Sequence, residues 1–269
     1  MRVASIGHAV FAATMIVFGT MSAVKGNFAP IWLGAPKDLP AREVLAYLCD
    51  ILTLVCGAGL LWRRAAAAAS RLLFVSLLLW MLVFRVRFIV LAPTVEVSYQ
   101  NNGESAVVVA AAWVLYAWFA ADWDRKHLGF LVGDRGVRIA RVLYGLSMIA
   151  FGLSHFAYVE LTTPLVPNWL PGHLFWAYFT GCTYLAAGAA ILLGVWAKWA
   201  AALSALQMGG FTLLVWIPIL AAGQVSIQHW VEFLVSWALT ASAWVITDSY
   251  RSERSITSDE ARAASPQAL

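Results

Sequence analysis

Residues 139–159, with the sequence IARVLYGLSMIAFGLSHFAYV, form an apolar run that contains a single charged side chain, Arg141. A helix over this run, rising about 1.5 Å per residue, is long enough to cross a hydrocarbon layer about 30 Å thick. The rest of the chain has the same character, because 62% of its 269 residues are hydrophobic and only 12% are charged. Soluble domains carry about 25% charged residues. The composition therefore excludes a soluble globule and predicts a polytopic membrane protein.

Eight apolar runs bounded by charge or proline predict an all-α membrane protein with eight transmembrane helices. The third run is the weakest, since Arg85 and Arg87 interrupt it. The runs cover residues 5–24, 44–62, 72–92, 105–121, 139–159, 174–193, 199–221 and 230–247.

The basic residues predict how the helices are oriented. If the N-terminus is cytoplasmic, thirteen of the 18 Lys and Arg residues fall inside, three fall outside, and Arg85 and Arg87 lie within a helix. Such an excess is the positive-inside pattern of membrane proteins, and it predicts that both termini are cytoplasmic. We therefore interpret the basic residues as the groups that orient the helices, and we expect the membrane to be the cell (inner) membrane. They give no indication of a nucleic-acid partner. The partner that we predict is the lipid bilayer.

The two halves of the chain repeat each other. Residues 15–19, MIVFG, match residues 148–152, MIAFG, at a spacing of 133. At a spacing of 131, the two prolines of 36–40 match those of 167–171, and Gly57 falls on Gly188. We therefore predict a tandem duplication of a four-helix bundle. Because four is an even number, the two copies enter the membrane the same way round, as parallel repeats.

This duplication divides the chain into four parts. The first repeat covers residues 1–122, and a cytoplasmic linker follows at 123–138. The second repeat covers residues 139–248, and residues 249–269, rich in Ser, Arg and Glu, are predicted to be a disordered cytoplasmic tail.

Four motifs of the second copy resemble the DoxX-like family of membrane proteins. Members are typically single four-helix units, so this chain resembles two fused units. The family name comes from a subunit associated with a thiosulfate:quinone oxidoreductase, so the resemblance implies a quinone-linked accessory role beside a partner oxidoreductase subunit, with a quinone as cofactor. Tyr184 and Thr53 occupy the position at which members often carry a glutamate. The motifs are FGLSHF at 151–156, LVPNWLP at 165–171, YFTG at 178–181 and GAAILL at 188–193.

Polar side chains at membrane depth cluster on the predicted outer side. Ionisable groups in hydrocarbon need a partner, a cavity or a route to the interface, so the cluster predicts an outward-facing polar pocket. Its candidate residues are Asp50, Arg85, Arg87, Glu104, His155, Trp169, His229 and Glu232.

Several members of this cluster have two interpretations each. Asp50 is expected to pair with one of the two arginines, either as part of a site or as an ion pair that only fixes helix register. His155 either binds a ligand or moves a proton, or it is satisfied by a neighbouring helix. His229 and Glu232, three residues apart, form either a proton-handling pair or simple interface groups. Trp169 is either a lid over the pocket or an interfacial anchor.

The functional alternatives stay open at this level. The sequence has no intrinsic catalytic motif and no metal-ligand spacing such as His-x-x-x-His, so we predict no metal site and at most an accessory role in an oxidoreductase. One alternative is the quinone-linked accessory subunit. A second is a protein that binds or transports a small apolar ligand or a lipid in an outward-facing pocket. The third is a structural or assembly protein without a ligand.

Overall fold

A computed structural model describes residues 4–223 and 226–264, with side chains up to Arg251. All regular elements in these ranges are helices. In the first half they are α1 (Ile6–Lys25), a 3-10 helix (Pro30–Trp32), α2 (Arg42–Leu61), α3 (Ala66–Trp80), a π-helical segment (Met81–Arg85), α4 (Val86–Leu91) and α5 (Glu96–Phe119). In the second half they are α6 (Asp122–His127), α7 (Gly133–Ala157), α8 (Val159–Thr162), a 3-10 helix (Thr163–Leu165), α9 (His173–Leu193), α10 (Ala197–Phe211), a π-helical segment (Thr212–Trp216), α11 (Ile217–Ala221) and α12 (Ile227–Ala264).

Within the described part of the chain, seven helices are long and apolar enough to cross a membrane. They correspond to seven of the eight predicted spans, and α3 and α4 act as one continuous span through the π-helical segment between them. The remaining prediction, 105–121, falls on α5. This helix begins earlier, at Glu96, and polar residues in its first third keep it out of the seven. An eight-span topology therefore stays a prediction.

α5 is nevertheless the most enclosed part of the fold. Residues 106–117 are all buried, because α5 packs against α3, α7 and α12. Consecutive helices pack within each half, and the halves meet where α5 contacts α7 and α12 and where α1 contacts α12. The helix pair α5 and α12 thus forms the centre of the molecule.

The helices alternate in direction, which defines two ends of the bundle. The end where α1 finishes and α2 begins is called the distal end; the end where α1 begins is called the terminal end. At the terminal end, Ser5 caps α1 by accepting a hydrogen bond from the His8 backbone N–H at 3.1 Å. At the distal end, α1 stops at Gly26, whose φ of 64° ends the helix in the left-handed conformation that glycine adopts easily.

The elements of the two halves recur at the spacings of the sequence motifs. Five pairs each begin 131 residues apart: α2 and α9, α3 and α10, the two π-helical segments, α4 and α11, and α5 and α12. The two 3-10 helices are 133 residues apart. The duplication stays a prediction, and this spacing agrees with it.

Equivalent glycines let the first two helices of each half approach closely. A Cβ added to Gly19 would lie 2.6 Å from the backbone oxygen of Asp50 in α2. A Cβ added to Gly152 would lie 2.9 Å from the backbone oxygen of Gly181 in α9. Neither helix pair could pack this tightly with a larger residue at these positions.

Two predicted boundaries differ from the structure. The linker predicted at 123–138 contains α6, and α7 already begins at Gly133. The tail predicted to be disordered is helical up to Ala264, because no proline or glycine lies between Ile227 and Ala264 to end α12. Residues 265–269 of that predicted tail lie outside the described residues.

Candidate functional site

A cavity of about 590 Å³ lies between α7, α9, α10 and α12 of the second half and α5, the last helix of the first half. Its mouth is at the distal end, where Leu161 and Gln228 are exposed. Along α12 the wall extends from Gln228 to Leu239, a depth of about 16 Å at the rise of a helix. The cavity therefore reaches about halfway through a bilayer core, and its volume is that of a small-molecule site.

The wall is polar near the mouth and apolar below. Near the mouth it carries Glu104 of α5 together with Gln228, His229 and Glu232 of α12. Deeper in the bundle it consists mainly of apolar and aromatic side chains. These include Phe151, Tyr184, Met208 and Leu239.

His155, a residue of the cavity wall, has a buried ring acceptor that no described group uses. Its Nδ1 lies 2.8 Å from the backbone oxygen of Phe151, and because a carbonyl can only accept, Nδ1 carries the proton. In the neutral imidazole, Nε2 is then an acceptor. Nε2 is buried and has no hydrogen-bond partner among the described residues. A ligand that donates a hydrogen bond would satisfy it.

Packing around His155 holds the imidazole in place. Its ring lies 5.6 Å from the ring of Tyr184 and 6.0 Å from that of Phe211, measured between centroids. On the other side, Gly181 leaves room for the histidine, since a Cβ there would lie 2.9 Å from the His155 Cβ. The direction of Nε2 is therefore set by α9 and α10 as well as by α7.

Glu104 lies between the large cavity and a smaller one. The smaller cavity, of about 20 Å³, is lined by Glu104, Arg85, Pro30 and Ile31 among others and is large enough for about one water molecule. Arg85 is 7% exposed, and its Nε has no hydrogen-bond partner in the described ranges. The two side chains interact electrostatically, with Arg85 on the side away from the large cavity.

Asp50 belongs to a different environment in the first half. It is fully buried, and its Oδ1 accepts a hydrogen bond from the Ala29 backbone N–H at 3.1 Å. Among the described residues it forms no ion pair with Arg85 or Arg87, so the pairing predicted from the sequence is wrong. The physical reason is the loop after α1, which turns into the bundle and brings a backbone donor to the carboxylate.

The same loop fills the first half with an aromatic side chain. Trp32 is 1% exposed, and its Nε1 donates a hydrogen bond to Thr53 Oγ1 at 2.7 Å. Its ring lies 5.3 Å from the ring of Trp80, and Trp80 Nε1 donates to the Leu33 backbone oxygen at 3.1 Å. Trp32, Thr53 and Trp80 correspond by the repeat spacing to residues of the cavity wall, namely Leu165, Tyr184 and Phe211.

The eight predicted pocket residues thus fall into two groups. Glu104, His155, His229 and Glu232 line the cavity, whereas the other four do not. Arg87 is half-buried, with its guanidinium 4.9 Å from the ring of Phe88. Trp169 is 68% exposed and forms no part of the wall, where the second-half loop contributes Leu161, Thr162 and Leu165 instead.

The chemical pairings within this group also differ from expectation. His229 Nδ1 accepts from the Ser226 backbone N–H at 3.4 Å, and Glu232 Oε1 accepts from Gln228 Nε2 at 2.6 Å, so the two do not pair with each other. Within the described residues, no group of three His, Cys, Asp or Glu side chains is arranged to hold a metal ion.

The aromatic and apolar wall was not predicted from the sequence. Met208, Phe211 and Trp216 resemble ordinary lipid-facing residues of an apolar helix. Met208 and Phe211 line the cavity from α10, and Trp216 lines it from the end of the π-helical segment Thr212–Trp216, where the rotation of the helix changes. The only available signal was Tyr184, a large polar residue within a glycine-rich helix.

The seven apolar helices indicate an integral membrane protein of the multi-pass helical class. Residues 136–216 match the DoxX family, which confirms the resemblance suggested by the motifs of the second half. The matched segment contains α7, α9 and α10, three of the five helices around the cavity. No curated protein and no solved structure matches the chain.

Proposed function

We propose that this protein binds an elongated, mostly apolar molecule with a hydrogen-bond-donating head in the cavity of its second half. The observation that carries the proposal is His155 Nε2, a buried acceptor without a protein partner on the wall of a cavity of about 590 Å³. Leaving such an acceptor unpaired in a protein interior costs about 1–3 kcal/mol. A bound donor would recover this free energy.

The shape of the cavity matches the orientation of an amphiphile in a bilayer. The polar groups lie near the mouth and the apolar wall extends towards the middle of the membrane. If the chain crosses the inner membrane eight times, as two parallel repeats with both termini in the cytoplasm, the mouth of the cavity faces the exterior. The ligand would then keep its head at the outer interface and its apolar part between the helices.

The class of ligand includes lipids, long-chain alcohols and quinols. A quinol has two hydroxyl donors on an apolar ring, so the quinone-linked accessory role is one version of this proposal. That version also needs a partner oxidoreductase subunit to hold the redox centre. The structural alternative, without any ligand, is the outcome expected if no probe binds.

The test fills the cavity of the second half with a side chain like the one that packs inside the first half. Leu165→Trp places an indole at the position that corresponds to Trp32, and it should fill the cavity. Val166→Trp is the control, because Val166 is its neighbour and does not line the cavity. The probes are 1-decanol and decylubiquinol, added to protein in phosphatidylcholine nanodiscs.

The measurement is the thermal midpoint of unfolding, Tm. A saturating probe should raise the Tm of the wild type and of Val166→Trp by about 5 °C through mass action, and should leave Leu165→Trp unchanged. Partition of the probes into lipid is the same for all three proteins. An equal response of all three, or no response in any of them, would refute ligand binding in this cavity.

A further inference from the structure

We infer that the ligand head is cationic, and that the cavity selects an amphiphile with a protonated amine over a neutral or anionic one. This inference rests on the proposed function and specifies its substrate class. It follows from the charges on the wall of the cavity, from the groups that compensate them, and from the acceptor on His155.

The charges that line the cavity are of one sign. Two carboxylates, Glu104 and Glu232, belong to the wall, and none of its described residues is a lysine or an arginine. They are contributed by α5 and α12, the helix pair at the centre of the molecule, and they interact electrostatically with each other. In a poorly hydrated site, two carboxylates attract a cation strongly.

Protein groups compensate only part of this negative charge. Arg85 acts on Glu104 from the side of the smaller cavity, but no Arg85 nitrogen lies within 4.0 Å of a carboxylate oxygen in the described residues. Glu232 has a neutral partner, Gln228, on one oxygen. Of the two carboxylates, Glu232 thus lines the cavity with no cation of the described residues within 4.0 Å, and Glu104 interacts with Arg85 only at longer range.

The remaining features of the wall also suit an ammonium group. His155 Nε2 can accept one of its hydrogen bonds, since Nδ1 carries the ring proton. The wall near the polar groups also includes the aromatic side chains of Tyr158, Phe211 and Trp216. Aromatic faces attract cations by about 0.5–2 kcal/mol, whereas they give a carboxylate or a sulfate no such attraction.

Three probes of equal chain length separate these possibilities. Decylamine is an ammonium ion at neutral pH, 1-decanol is its neutral counterpart, and decanoate is the anion. Each is titrated into wild-type protein in phosphatidylcholine nanodiscs, and its Kd is obtained from the rise in Tm against its free concentration. Partition of each probe into protein-free nanodiscs is measured first and is used to correct that concentration.

The wild type should bind decylamine at least tenfold more tightly than 1-decanol, and decanoate more weakly than both. In the double variant Glu104→Gln/Glu232→Gln, the preference for the amine over the alcohol should fall below threefold. Glu160→Gln is the matched control, because Glu160 is exposed at the same end of the bundle and does not line the cavity. It should retain the full preference.

Equal affinities for the amine and the alcohol in the wild type would overturn the inference, even if the double variant failed to fold. An unchanged preference in a folded double variant would also overturn it. If 1-decanol binds and Leu165→Trp abolishes that binding, the proposed function survives the loss of charge selectivity. If none of the three probes binds, the proposed function fails together with the inference.

Discussion

The two halves of this protein contain long helices in the same order, but the space between the helices is packed differently in each half. In the first half, the loop after α1 inserts Trp32 between Thr53 and Trp80, and Asp50 holds the loop through the Ala29 N–H. In the second half, the corresponding loop contributes Leu165 to the wall of a cavity. A few side chains, rather than the scaffold, therefore decide whether a half is filled or can accept a ligand.

The halves also differ at two polar positions that the repeat spacing pairs. His155 corresponds to Ser22, and Gly181 corresponds to Asp50, by the repeat spacing. The second half thus has an imidazole where the first has a small hydroxyl, and it lacks the carboxylate that fixes the first loop.

The largest expected effect comes from emptying the first half. Trp32→Ala removes a fully enclosed indole and should lower the free energy of unfolding by about 3–5 kcal/mol, the usual cost of truncating a buried Trp. Thermal unfolding in nanodiscs measures this as a lower Tm. Trp169→Ala is the control and should change stability by less than about 0.5 kcal/mol, because Trp169 is exposed.

The same variant tests whether the halves are equivalent. If Trp32 fills a site of the same kind, Trp32→Ala should bind a second molecule of 1-decanol, so that the stoichiometry rises from one to two. Native mass spectrometry gives the count. Destabilisation without a second bound molecule would show that the first half collapses around the missing side chain, and the comparison of the two interiors would then break down.

The next effect concerns the glycines at the helix crossings. A Cβ on Gly19 would lie 2.5 Å and 2.6 Å from two backbone atoms of α2, whereas a Cβ on Gly152 would lie 2.9 Å from one backbone atom of α9 and make its shortest contact, 2.6 Å, with the Leu185 side chain. Backbone cannot move away as a leucine side chain can. Gly19→Ala should therefore cost about 2–3 kcal/mol and Gly152→Ala about 1 kcal/mol. Equal Tm values for the two variants would contradict this difference in packing.

The third prediction concerns the carboxylate that holds the first loop. Asp50→Ala leaves the buried Ala29 N–H without its acceptor and should cost about 1–3 kcal/mol. Asp50→Asn keeps an acceptor oxygen and should cost less than about 1 kcal/mol. If Tm falls equally in both variants, the negative charge matters more than the acceptor, and an arginine partner would have to be reconsidered.

The sequence predicted the parts of this structure that depend on periodic apolar runs. At seven of the predicted spans the structure has helices long and apolar enough to cross a membrane, and the resemblance of the second half to DoxX is confirmed. It did not predict the difference between the halves, because that depends on whether a loop enters the bundle. Nothing in the residues around Trp32 distinguishes a buried indole from an interfacial one such as Trp169.

The candidate site was predicted in part for a related reason. Glu104, His155, His229 and Glu232 were identified because ionisable groups at membrane depth are unusual. Arg85 was identified for the same reason, but it does not line the large cavity. The π-helical segment that ends at Arg85 turns its side chain towards Gly34 in the loop, so the side chain lies on the far side of Glu104 from that cavity. π-helical segments have no local sequence signature that would have given this rotation.

The smallest expected effect bears most directly on the chemistry of the second half. His155→Leu removes the acceptor while retaining an apolar side chain, so it should weaken binding of 1-decanol by up to about tenfold, the value of one buried hydrogen bond. Ser22→Ala, at the corresponding position of the first half, should leave that affinity unchanged because Ser22 does not line the cavity. Kd values from Tm titrations make the comparison. If His155→Leu binds as tightly as the wild type, the unpaired Nε2 is not the recognition group, and binding would depend on the apolar wall alone.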